Sequence, residues 1–256
     1  MSDFVLTHEN YYGAEANRHY YSASQIKSFL DCPARTMAEI TGEYVRPEST
    51  ALLVGSYVDA YFDNGLDLFK AKHTEIFKRD GSLKAEYIKA EEMILRAERD
   101  EVFMDYMQGQ KQIIMTGLIH GHPFKIKMDV YKPGVRIVDL KTTRDMEPMY
   151  KAEQGRITFA EFWNWPLQMA IYQAVEGNHL PVYLNVVTKE DPPNIATIEI
   201  PQHQLDAELE VISEKMPYFD AIKQGIVEPT RCEKCPYCRA SKKQIAPISL
   251  DDLIEL

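Results

Sequence analysis

Two aspartates and a lysine on adjacent predicted strands are candidates for metal-assisted hydrolysis. In residues 135–142 the odd positions run Val, Ile, Asp139 and Lys141. Alternate residues of a strand share one face, so this row begins apolar and ends in two opposite charges, which packing alone does not explain. In residues 124–131 the even positions are apolar and predict a core face, which puts Asp129 on the other face.

Whether the two aspartates meet depends on the turn between these strands. A three-residue turn over residues 133–135 would place Asp129 directly opposite Asp139, with both carboxylates on one face. Facing carboxylates repel each other and need a cation, and Mg²⁺ or Mn²⁺ prefers oxygen ligands. Lys141 could then orient or help deprotonate a metal-bound water that attacks a phosphodiester. A surface ion pair on a hairpin is the competing interpretation of Asp139 and Lys141.

The same segments resemble the nuclease core of the PD-(D/E)XK superfamily. Met128-Asp129, followed by Ile-Val-Asp-Leu-Lys-Thr-Thr at residues 137–143, carries the resemblance. The sequence Asp-Leu-Lys-Thr is similar to the corresponding motif of the RecB-like and RecE-like branch. The resemblance implies that Asp129, Asp139 and the backbone carbonyl of Leu140 bind the metal and that Lys141 positions the attacking water.

Two predicted helices fit this branch as well. Gly55 and Asp59 resemble its helical motif, in which a glycine precedes a metal-binding residue by four, although aspartate stands here where histidine is usual. Gln168 and Tyr172 resemble its Gln-x-x-x-Tyr motif, whose side chains line the substrate side of the site. Residues four apart share a helix face. An ordinary amphipathic helix is the alternative for Gln168 and Tyr172.

Four cysteines form a second candidate site: Cys32, Cys232, Cys235 and Cys238. In a reducing compartment they are better interpreted as thiols or metal ligands than as disulfides. The late triplet is too tightly spaced for a simple zinc knuckle unless a distant fourth ligand, such as Cys32, joins it. The same nuclease branch includes members whose iron–sulfur cluster is held by one early and three late cysteines, usually with a wider last spacing. The resemblance therefore implies a 4Fe–4S cluster, with zinc as one alternative and simple buried or free thiols as another.

The composition limits the class of protein. The chain has 256 residues, 45% of them hydrophobic and 27% charged, which is typical of a soluble globular protein. A net charge of -10 argues against a protein that coats DNA nonspecifically, but carboxylates that hold metal ions also contribute negative charge. The basic stretches 70–84 and 239–243 are interpreted as solvated surface. Neither a signal peptide nor a long apolar run is recognisable, so we expect a cytoplasmic protein without a membrane partner.

The spacing of apolar residues changes near Lys111 from one typical of helices to one typical of strands. The patterns predict helices over 22–32, 51–62, 84–107, 165–176 and 202–223, and strands over 112–119, 124–131, 135–142, 182–188 and 195–200. They indicate an α/β (α+β) fold, a central mixed sheet with an antiparallel meander flanked by helices, and the resemblance implies the restriction-endonuclease-like core. We expect one nuclease domain over residues 1–256: a mainly helical part (1–110), the catalytic sheet (111–200), and a helix with a cysteine-containing tail (201–256).

The resemblance also implies an activity. RecE-like exonucleases of the phage type hydrolyse duplex DNA from an end, in the 5′ to 3′ direction, for recombination with a protein that anneals single strands, and a ring-shaped homo-oligomer is expected. An endonuclease or a repair nuclease that prefers single strands is the alternative within the superfamily. A DNA-binding adaptor without catalytic activity is the alternative from another class.

Overall fold

The structure, a computed structural model, describes residues 4–47, 49–152, 154–244, 246–247 and 249. The N-terminal part is helical, as predicted, and its helices are α1 (Ala14–His19), α2 (Ala23–Asp31), α3 (Pro33–Thr41), α4 (Thr50–Phe62), α5 (Leu66–Lys72), α6 (Ala85–Glu98) and α7 (Glu101–Tyr106). None of the described helices is both long and apolar enough to cross a membrane. The single domain stays a prediction, and its ends, 1–3 and 250–256, lie outside the described residues.

A five-stranded mixed sheet follows, which confirms the predicted fold class. The elements after α7 are β1 (Gln110–Ile119), β2 (His122–Lys132), β3 (Arg136–Thr143), β4 (Met149–Lys151), β5 (Gly155–Ile157), α8 (Phe159–Phe162), α9 (Trp165–Glu176), β6 (Val182–Thr188), β7 (Ile195–Glu199), α10 (Gln202–Lys223) and α11 (Pro236–Ala240). The sheet order is β1-β2-β3-β6-β7, and β4 pairs with β5 in a separate hairpin. The meander β1-β2-β3 is antiparallel, whereas β3 pairs in parallel with β6, so β3 lies at the centre.

The turn between β2 and β3 has the predicted length. Lys132 pairs with Arg136, which leaves the three residues 133–135 in the turn, and the last pair joins Val130 to Val138. Continuing this register by one residue sets Asp129 opposite Asp139. The ladder stops before that pair, whereas β2 is paired with β1 from His122 to Met128 and again at Val130 and Tyr131, which leaves Asp129 unpaired in both ladders. The two strands therefore separate where the two aspartates lie.

The prediction that side chains alternate regularly between the two faces of β2 is wrong near its C-terminal end. Phe124, Ile126, Met128 and Val130 are all fully buried, as predicted. However, the first three pack into the core beneath α2, α9 and α10, whereas Val130 packs into a second core with α4 and α6. Opposite this point Gln112 has a φ of 53°, which is outside the extended range. A local irregularity of the β1–β2 pair thus turns Asp129 to the face of its partner Asp139.

Polar caps decide where the helices begin and end. Ser22 caps α2 by accepting a hydrogen bond from the Gln25 amide at 3.3 Å, as predicted, and α2 ends at Asp31. Pro33 then starts α3, an additional helix that the sequence did not predict. The single helix predicted over 84–107 is wrong, because Asp100 accepts a hydrogen bond from the Phe103 amide at 2.9 Å and begins a new helix.

Candidate active site

A cleft of about 450 Å³ lies where β2 and β3 separate. Helix α4 borders it on one side and α9 on the other, and the start of α2 closes over it. All seven residues predicted for catalysis, metal binding or substrate binding line this cleft: Asp59, Asp129, Asp139, Leu140, Lys141, Gln168 and Tyr172. The structure therefore brings together the residues from four separate sequence segments.

Asp139 is the most deeply buried acid of the cleft. Its side chain is 2% exposed, and its Oδ1 accepts a hydrogen bond from Nε2 of Gln168 at 2.8 Å. Nζ of Lys141 lies against the other oxygen, Oδ2, as an ion pair. Among the residues that the structure describes, however, none donates to Oδ2 in hydrogen-bonding geometry. One buried carboxylate oxygen thus lies against a cation at the edge of the gap.

Asp129 is held by the backbone of β3. Its Oδ2 accepts a hydrogen bond from the Leu140 amide at 2.9 Å, and Nε2 of Gln112 lies 3.4 Å from its Oδ1. Since the amide and carbonyl of one strand residue point to the same edge, the Leu140 carbonyl faces the gap that β2 leaves. The gap is therefore lined by the Asp129 carboxylate and by the Leu140 carbonyl.

Asp59 reaches the same gap from α4. One turn earlier, Gly55 meets β3 so closely that a Cβ atom there would lie 3.2 Å from Oγ1 of Thr142. The missing side chain lets α4 approach β3, and Asp59 follows on the same helix face. The close approach expected of this glycine is present.

The charges in the cleft act on one another. Burial, with a smaller contribution from the neighbouring Asp139, raises the pKa of Asp59 to about 7, although attraction to Lys141 lowers it in part. The pKa of Asp129 lies well above its usual range because of burial, with repulsion from Asp139 and Asp59 adding to the effect. Burial lowers the pKa of Lys141, but attraction to Asp139 and Asp129 outweighs this and leaves the pKa above its usual value. Lys141 is therefore a protonated cation among acids that repel each other.

Gln168 and Tyr172 make their hydrogen bonds to the protein. Besides Asp139, Nε2 of Gln168 donates to the Tyr172 hydroxyl at 3.0 Å, and this hydroxyl donates to the Lys127 carbonyl on β2 at 2.9 Å. The two side chains thereby connect Asp139 to the backbone of the strand that carries Asp129. An ordinary amphipathic helix would not require this chain of polar contacts, so we infer a positioning role beside their place in the cleft wall.

Lys27 is a residue of the cleft that the sequence analysis missed. Its Nζ donates to Oε1 of Gln168 at 3.0 Å, and Nζ of Lys141 lies 3.3 Å from the same oxygen. Burial, with a smaller contribution from the charge of Lys141, lowers the pKa of Lys27 to about 7, although Asp139 and Glu208 act in the opposite direction. No spacing marks this lysine, because packing of α2 against α9 brings it there from over a hundred residues away. The cleft wall contains further residues outside the predicted set: Tyr11, Tyr12, Ser24, Asp63, Gln112 and Lys127.

The four cysteines meet elsewhere, as predicted. Their sulfur atoms all lie within 4.8 Å of one another, and they are the one group of three or more potential ligands found this close together in the described part of the chain. Cys32 comes from the junction of α2 and α3, and the other three come from the segment after α10. All four are free thiols rather than disulfides.

The family model of a PDDEXK-like domain of unknown function, DUF3799, matches residues 22–241. This chain belongs to that PDDEXK-like family. The matched range contains every residue of the cleft predicted from the sequence and all four cysteines, and the family description confirms the resemblance to the PD-(D/E)XK superfamily.

One solved structure agrees with this assignment. The chain is 43% identical to a protein from Eubacterium rectale whose crystal structure is described as a "putative exonuclease", with 98% of each chain covered and a TM-score of 0.94. A second solved structure, SSO0001, is 14% identical, with 83% of this chain and 96% of that chain covered, but its TM-score of 0.29 is too low to indicate a shared fold. No curated protein matches the chain. The PDDEXK-like family and the first neighbour together support a nuclease.

Replacing Gln168 tests its positioning role. Gln168→Leu removes the donor to Asp139 and the oxygen that Lys27 and Lys141 share, so we expect nuclease turnover to fall roughly 10- to 100-fold, as for other residues that orient a metal ligand. KM for DNA should change much less. Tyr172→Phe, which removes only one hydroxyl, is the matched variant and should cost less than Gln168→Leu. Steady-state cleavage of a labelled duplex measures both constants, and an unchanged turnover in Gln168→Leu would refute the role.

Proposed function

We propose that this PDDEXK-like protein is a divalent-metal-dependent deoxyribonuclease that degrades duplex DNA from its ends. The observation that carries the proposal is the set of oxygen donors around the β2–β3 gap. Asp59, Asp129 and Asp139 supply carboxylates and Leu140 a backbone carbonyl. Oxygen donors of this kind suit Mg²⁺ or Mn²⁺.

The residue types suit such an ion. Oδ2 of Asp139 is buried at the gap and faces the ammonium of Lys141, with no directed hydrogen bond from another described residue. Asp129 would share the ion from the other strand, the Leu140 carbonyl would add a ligand from the strand edge, and Asp59 would complete the set from α4. When bound, the ion would polarise the scissile phosphate and stabilise the leaving oxygen.

The cations of the cleft would act on the water and the phosphate. Lys141, protonated and 18% exposed, would position the attacking water beside Asp139. Gln168 would hold Asp139 and keep the two lysine amines, Lys141 and Lys27, at one oxygen. Lys27 would contact a phosphate oxygen from the α2 side of the cleft. Local positive charge of this kind offsets the net negative charge of the chain at the point where DNA must bind.

Degradation from an end is supported by the likeness to a protein described as an exonuclease. The N-terminal segment also contributes Tyr11, Tyr12 and Lys27 to the cleft wall. The 5′ to 3′ direction, the role in phage-type recombination, the annealing partner, the ring-shaped homo-oligomer and the cytoplasmic location rest on the sequence resemblance and composition alone.

Asp139→Asn and Lys141→Ala should each abolish cleavage. The first removes the charge of a proposed metal ligand and the second removes the amine that positions water, so we expect a loss of more than about a hundredfold in turnover. Circular dichroism should show that both variants remain folded. Asp80→Asn and Lys78→Ala, exposed residues away from the cleft, are the matched controls and should retain activity. Turnover like that of the wild type in either cleft variant would contradict the catalytic role proposed for that residue.

The substrate requirement separates the exonuclease from its alternatives. We expect rapid degradation of linear duplex DNA with Mg²⁺ or Mn²⁺, and little cleavage of covalently closed circles or of linear DNA whose ends are capped by hairpins. Label at each 5′ and 3′ end reports the direction. Efficient cutting of closed circles would favour the endonuclease, preference for single strands the repair nuclease, and binding without cleavage the adaptor. Full activity in excess chelator would reject metal catalysis.

A further inference from the structure

We propose that a single zinc ion is bound in tetrahedral geometry by the four cysteines, Cys32, Cys232, Cys235 and Cys238. This ion would link the N-terminal helices to the segment after α10. This differs from the four-iron cluster that the sequence resemblance implies. It is independent of the proposed nuclease activity, because it rests on the positions of the four sulfur atoms and their surroundings.

The sulfur–sulfur distances are those of ligands around one ion. Sγ of Cys32 lies 3.5 Å from Sγ of Cys238 and 3.8 Å from Sγ of Cys235, and the sulfurs of Cys232 and Cys238 are 4.0 Å apart. Zinc–sulfur bonds of about 2.3 Å in a tetrahedron place the sulfurs about 3.8 Å from one another. The observed separations therefore match the edges of a tetrahedral zinc site.

The cysteine sulfurs that bind a four-iron cluster lie farther apart than those that bind one zinc ion. Each thiolate binds a different iron of a core that also contains four sulfides, so the thiolates must stand further apart than ligands sharing one atom. All four sulfurs here lie within 4.8 Å of one another. The short Cys-x-x-Cys-x-x-Cys spacing keeps the last three close, and the buried Cys32 leaves little space between the segments. The space between the sulfurs suits one atom.

Backbone amides point at three of these sulfurs. The amide of Arg35 lies 3.5 Å from Sγ of Cys32, that of Cys235 lies 3.3 Å from Sγ of Cys232, and that of Cys238 lies 3.4 Å from Sγ of Cys235. Amide donors directed at sulfur stabilise a thiolate, the form that binds a metal. They also fix the sulfur positions, as partners of metal ligands commonly do.

Two arginine side chains, Arg35 and Arg231, interact electrostatically with the cluster beside their ion pairs with nearby carboxylates. Four thiolates and one Zn²⁺ carry a net charge of two negative units, which is costly to bury without a nearby cation. Arg35 is 8% exposed, and Arg231 donates to the Cys238 carbonyl at 2.6 Å. A backbone hydrogen bond from the Ala34 amide to the Thr230 carbonyl, 3.1 Å long, also connects α3 to the segment after α10. Since α2, which carries Lys27, ends directly before Cys32, the zinc would also fix one wall of the cleft.

Metal analysis of the full chain tests the proposal. Protein purified without oxygen, from cells supplied with both metals, should be colourless and contain about one zinc per chain, with neither iron nor sulfide. Brown protein with about four irons per chain would overturn the proposal in favour of a cluster. Protein that contains no metal and takes up none from a zinc solution would overturn it as well.

Variants at Cys232, the most accessible of the four, add a second measurement. Cys232→His keeps a zinc ligand, because three cysteines and a histidine are a common zinc set, and should retain the metal. Cys232→Ala should lose it, with a fall in the thermal unfolding midpoint of more than about 5 °C. Equal zinc content and midpoint in the two variants would contradict the proposal. If neither variant folds, the metal content of the unmodified chain still decides the question.

Discussion

Three aspartates must be kept together in one cleft, and much of the structure around them serves this requirement. Repulsion and burial each disfavour ionised Asp59 and Asp129, and both effects appear as raised pKa values. The positive charge of Lys141 compensates only part of this, since the pKa values of Asp59 and Asp129 stay raised despite it. A site with such an excess of negative charge favours a divalent cation.

The fold supplies the positions of these acids by separate means. The three-residue turn fixes the register of β2 and β3, and the early end of their ladder opens the gap between them. Gly55 allows α4 to approach β3 and deliver Asp59. Helix α9 orients Asp139 through Gln168, which is anchored in turn through Tyr172 to the backbone of β2. The cysteine cluster lies where the segment after α10 meets the end of the helix that carries Lys27.

How far the sequence predicted the site depended on the range of the interactions. Asp129, Asp139 and Lys141 could be paired from the parity of a short turn, because alternation along strands is a local rule. Lys27 could not, since tertiary packing alone brings α2 to Gln168. The break at Asp100 was hidden because apolar residues keep a helical spacing through it. The irregularity at Asp129 was missed for a similar reason: β2 is buried on both faces there, so the hydrophobic pattern does not register the change of face.

A crystal of the protein soaked in Mn²⁺ tests the central claim most directly, because anomalous scattering locates the ion without reference to activity. The account predicts manganese in the gap between β2 and β3, bound by the carboxylates of Asp129 and Asp139 and by the Leu140 carbonyl, with Asp59 on the α4 side. Manganese bound only at other acidic residues, or a gap that stays empty at saturating Mn²⁺ while Lys141 keeps its ion pair with Asp139, would contradict it.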